Sequence, residues 1–124
     1  MNVVLNLTIK RKWFDLIRTG EKKEEYRSSH NRQVMRLHDK MALLERNPAA
    51  NIAVFRNGYS MDSGAVAVEI TGIDLRGGDQ AKHPEWGEPT DKELHFVIKL
   101  GKVFQVAPYH AVRDFLPLRT GVAK

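Results

Sequence analysis

A chain of 124 residues, 42% of them hydrophobic, can fill one core of ordinary size, and the absence of cysteine excludes disulfides, thiolate zinc sites and cysteine nucleophiles. The net charge of +5 favours a polyanionic partner, and the whole excess lies in residues 1–46, with 11 Lys/Arg against 6 Asp/Glu, while residues 47–124 hold 9 of each. The N-terminus lacks the basic start and long apolar run of a secretion signal, and no apolar stretch approaches the roughly 20 residues of a spanning helix, so a cytoplasmic protein outside the membrane is expected.

Val3, Leu5, Leu7 and Ile9 alternate with Val4, Asn6, Thr8 and Lys10, the period of two of a strand buried on one face. From Lys10 to Thr19 the apolar residues Trp13, Phe14, Leu16 and Ile17 form a helical stripe, and Gly20 stands where a helix stops. Lys22 to Arg27 is short and charged, and its propensity alone leaves its state open. Val34, Leu37, Met41 and Leu44 recur at intervals of three and four with Arg32, Arg36, Lys40 and Arg46 on other faces, which describes an amphipathic helix ending near Asn47-Pro48. Asn51 to Arg56 reads as a strand, Asn57-Gly58 as a tight hairpin turn, and Ala65 to Ile73 as a longer strand alternating Val66, Val68 and Ile70.

Residues 74–93, rich in Gly, Asp, Pro and Lys, form an irregular excursion of a length often tied to function. Leu94 to Val106 is a strand with a bulge or turn at Gly101, and Pro108 opens a short helix through Phe115. No glycine-rich phosphate loop follows a strand, which disfavours a doubly wound nucleotide-binding fold. The order fits an α+β domain, a small mixed barrel or curled sheet with short helices at its ends. Residues 1–107 make its body, and residues 108–124 a C-terminal helix and tail of the same domain.

The densest functional candidate is Gly20-Glu21-Lys22-Lys23-Glu24-Glu25-Tyr26-Arg27. On a strand, Lys23, Glu25 and Arg27 share one face and Lys22, Glu24 and Tyr26 the other, unless a bulge after Gly20 brings Lys22 to the first set. Leu5-x-Leu-x-Ile9 followed by Trp13-Phe14-x-x-Ile17-x-x-Gly20-x-Lys22-x-x-Glu25-x-Arg27 resembles the opening of the ASCH family, whose signature is Gly-x-Lys-x-x-Glu-x-Arg after an amphipathic helix. Phe55-Arg-Asn-Gly58-Tyr59, Val66-Ala-Val-Glu69-Ile-Thr-Gly-Ile73, Trp86-Gly87 and Phe96-Val-Ile-Lys-Leu-Gly101 look like later blocks of that family in the same order.

The resemblance implies a PUA-like mixed β-barrel with a nucleotide-sized cleft around the signature residues, and RNA or a modified nucleoside as partner. One branch of the family hydrolyses the acetyl amide of acetylcytidine with the signature lysine, a glutamate and a threonine. Lys22 and Glu69 match the first two as tentative catalytic residues, but Glu25 stands at the threonine position. That leaves two functions in view. One is binding through Lys23, Glu25, Arg27, Tyr59 and Trp86; the alternative is a hydrolase, an amidohydrolase of the acetylcytidine kind or a ribonuclease. Against both stands an ion-pair network of Lys22, Glu25 and Arg27 that merely closes the barrel. The five histidines show no metal-ligand spacing, and neither metal nor cofactor is expected.

Overall fold

Alternation at the N-terminus produces β1 (Asn2–Thr8), and the apolar stripe after it produces α1 (Arg11–Arg18). Then follow β2 (Glu24–Ser28), α2 (Arg32–Leu43), β3 (Asn51–Arg56), β4 (Gly64–Gly77), β5 (Leu94–Pro108) and α3 (Tyr109–Arg119). The structure, a computed structural model, describes residues 2–43, 51–77 and 94–119. No helix among them is long and apolar enough to cross a membrane.

The five strands form one mixed sheet in the order β1-β3-β4-β5-β2, with β1 parallel to β3 and every other pairing antiparallel. The expected α+β class holds, with short helices around the sheet, but the sheet is not closed into a barrel. β1 and β2 remain its edges, joined by a side chain rather than a ladder: Arg27 Nη2 of β2 donates to Thr8 O of β1 at 2.9 Å.

Both sheet faces are buried. Leu5, Phe14, Ile17, Val34, Phe55 and Val68 belong to the larger cluster, with α1 and α2, while Ile52, Val54, Ala65, Ala67 and Val112 form a smaller one with α3. This explains the unbroken apolar run of β3, whose residues 51–55 are all buried. Phe14 reaches β4 where Gly64 has no side chain; a Cβ there would lie 3.2 Å from Phe14 Cζ.

Several sequence expectations change: β5 keeps Pro108, and α3 starts at Tyr109 and runs to Arg119 rather than from Pro108 to Phe115. The β3–β4 connection is not a two-residue turn but a loop of residues 57–63, closed by Asn57 N–H on Gly64 O (2.9 Å) and Ser63 N–H on Ser60 O (3.1 Å). Arg56 holds it wide by donating Nη2 to the carbonyls of Tyr59 and Ser60, while its guanidinium lies 3.6 Å from the Tyr109 ring centroid. The excursion begins later than expected, because β4 stays paired with β5 through Asp74↔Val97 and Gly77↔Leu94. The first strand, lastly, stops at Thr8, because Ile9 turns its N–H to Arg56 O at 2.8 Å and the chain then enters α1. The expected end of α2 near Asn47-Pro48 lies outside the described residues.

The expected bulge at Gly101 is present as shifts in the β4–β5 register between Val68 and Gly72. A Cβ on Gly101 would fall on Glu69 Oε1 and lie 2.8 Å from Thr71 Cγ2. Gly101→Ala should therefore destabilise the domain by about 1 to 3 kcal/mol, as overpacking does. Glu69→Ala in the same chain should recover part of that loss, since Glu69 supplies the nearest obstructing atom. Urea unfolding of the two single variants and the double variant checks this; strictly additive losses would contradict it.

Candidate ligand-binding site

The site starts from the way α1 ends. Gly20 takes φ +82°, a left-handed conformation that a glycine adopts without a Cβ clash. Its N–H reaches Ile17 O at 3.0 Å, and Lys22 N–H reaches back to Leu16 O at 2.9 Å. The chain reverses under the helix and carries the Lys22 side chain against Trp13. Lys22 Nζ lies 4.9 Å from the Trp13 ring centroid, 5.0 Å from that of Tyr26 and 3.5 Å from Glu25 Oε1. Only 2% of Lys22 is exposed.

Burial lowers the Lys22 pKa below its ordinary value, against the opposing pull of the Glu25 carboxylate, and the charge of Arg27 lowers it further. Glu25, also buried, holds two cations. Besides Lys22 it accepts from Arg27, whose Nε and Nη2 lie 2.9 and 2.8 Å from Oε2. Lys22, Glu25 and Arg27 are thus brought together as one network, and its outer member also holds Thr8 O. Lys23 stays exposed beside them, its carbonyl accepting from Leu100 N–H at 2.8 Å.

Glu69 is placed elsewhere. It pairs in register with Ile52 of the smaller cluster, whereas Glu25 pairs with Ile98 of the larger one, so the two carboxylates project from opposite faces of the sheet. Glu69 Oε1 accepts from Lys102 N–H at 3.3 Å. Trp86 lies outside the described residues.

A second charged group was not foreseen. Tyr26 donates its hydroxyl to Glu24 at 3.0 Å, Glu24 pairs with Arg76 at 3.2 Å, and Asp74 holds Arg76 at 2.9 Å and Lys99 Nζ at 3.0 Å. Burial, then Glu24, push the Tyr26 phenol pKa up, and hydrogen bonding to Arg76 leads the effects that hold Asp74 down. Asp74 and Arg76, two apart on one strand, were the available signal, masked by reading residues 74–93 as loop.

Thr8, whose carbonyl Arg27 holds, also lines an open concavity of about 330 Å³ with Ile9, Lys10, Asn57, Gly58 and Tyr59. Parallel pairing makes this site, because β1 and β3 end side by side at Thr8↔Arg56 and the segments that follow them meet. Tyr59 is 85% exposed, and Lys10, Arg11 and Lys12 are exposed as well. Of the sequence candidates, Tyr59 is in this concavity and Arg27 borders it through Thr8. Thr8, Ile9, Lys10 and Asn57 were missed, since only the β1–β3 register brings them together. Compared with family models, curated proteins and solved structures, the chain matches none.

Proposed function

We propose that this chain is a nucleic-acid-binding domain of the PUA-like ASCH kind that takes single-stranded RNA through an unpaired base, plain or modified. The observation that carries the reading is the concavity beside Lys10 with the Tyr59 ring 85% exposed in it. An exposed aromatic ring next to cations is what base stacking and phosphate attraction require together. The basic excess of residues 1–46 supports it, with Lys10, Arg11 and Lys12 exposed at this end of the sheet. In this reading the Lys22–Glu25–Arg27 network is the frame that fixes the Thr8 edge, and the ligand lies outside it. The hydrolase alternative draws no support from the arrangement, because Glu69 is turned to the β5 backbone on the face opposite Glu25.

Fluorescence anisotropy with a labelled single-stranded RNA at rising salt tests the reading. Affinity should fall as salt rises, with log K linear in log salt at a slope of about −0.7 for each phosphate neutralised. An absence of binding at low salt would remove it.

A further inference from the structure

Asn57 leaves β3 directly into the concavity. Its backbone N–H is fixed on Gly64 O at 2.9 Å, and its carboxamide makes no hydrogen bond to another described residue. Gly58 separates it from Tyr59 at φ +130°, and a Cβ on Gly58 would lie 2.8 Å from Ser63 Oγ. The backbone therefore places Asn57 and Tyr59 together at the open site. A carboxamide offers an acceptor and a pair of donors in one plane, the complement of a base edge.

We propose that Asn57 is the residue that holds the edge of whichever base stacks on Tyr59; the inference rests on the binding function proposed above. By turning over, a carboxamide meets an amino group beside a ring acceptor, as in adenine and cytosine, or a ring N–H beside a carbonyl, as in uracil and guanine. The parent protein therefore accepts all four bases with two hydrogen bonds each. A carboxylate in the same place presents two acceptors and matches only two adjacent donors, the N1–H and N2–H of guanine.

The test uses short RNAs of abasic ribose phosphates carrying one central base, A, C, G or U, against the parent, Asn57→Asp, Asn57→Ala and Tyr59→Ala. Asn57→Asp keeps the backbone N–H and should melt with the parent. Its added charge repels every RNA alike, so the ratio between bases is read: guanine should be preferred over the other three by about tenfold or more. Asn57→Ala should weaken all four and prefer none. An unchanged ratio in Asn57→Asp, with binding still weakened by Tyr59→Ala, overturns the role of Asn57 and leaves the binding function standing. If the parent binds none of the RNAs, the binding function falls and the role of Asn57 with it; if Tyr59→Ala binds as the parent does, the stacking site falls and the role of Asn57 with it.

Discussion

Replacing Glu25 by alanine should cost about 3 to 5 kcal/mol, the loss typical of removing one partner from a buried ionic group. In a domain of this size that lowers the melting temperature by on the order of 10 °C or more. The reason is position in the network: Glu25 is buried and contacts both Lys22 and Arg27, so its removal leaves two cations facing each other across the site. Lys22→Ala should cost less, about 2 kcal/mol from the lost contacts with Trp13 and Tyr26, because Glu25 keeps Arg27. Thermal unfolding of the two variants decides the matter. A Glu25→Ala chain as stable as the parent, or a Lys22→Ala chain less stable than Glu25→Ala, would show that the network does not hold the sheet edges.

Alkaline pH separates the same residues by sign. Lys22 has a folded pKa below 10.5, so in the interval up to 10.5 the unfolded chain binds a proton that the folded chain has released, and the Lys22 contribution to stability grows as pH rises. Tyr26 runs the other way: its folded pKa lies above 10.0, so its contribution is complete below 10.0 and is lost as pH climbs toward the folded value. Lys22→Met should remove the gain and Tyr26→Phe the loss, both visible in urea midpoints across that range.

Local periodicity made most of the fold legible. The alternation of Val3 to Ile9, the stripe of Trp13 to Ile17 before Gly20, and the spacing of Val34 and Leu37 each fix an element by burying one face, and the structure has β1, α1 and α2 there. Where charge is paired across strands, the pattern fails. The extension of β4 through Asp74 and Arg76 looks polar because those residues meet Lys99 of the adjacent β5 and Glu24 of β2 beyond it, which the linear sequence does not display. The site divides in the same way. Lys22, Glu25 and Arg27 are close in sequence and their association could be read; the meeting of Lys10 with Asn57 depends on a parallel β1–β3 pairing across more than forty residues. Glu69 shows the cost of a one-residue change of face, since Val68 and Ile70 beside it both enter the larger core cluster while Glu69 cannot.

Tyr59→Ala should weaken single-stranded RNA binding by about 1 to 3 kcal/mol, roughly 5- to 150-fold, the range measured when a stacking aromatic is removed. The same change should move stability by no more than about 0.5 kcal/mol, because a ring 85% exposed contributes little to the core. Lys10→Ala distinguishes charge from stacking within the same concavity: it should lower the salt slope by about 0.7, one phosphate contact on a single strand, whereas Tyr59→Ala should leave the slope as it is. Binding and melting measured on the same preparations therefore give two independent readings of one surface. A Tyr59→Ala chain that binds RNA as the parent does removes the stacking platform, and one that loses binding only in step with its melting temperature shows the ring to be structural. Loss of affinity at constant slope and constant melting temperature is the combination that a base lying on Tyr59 produces.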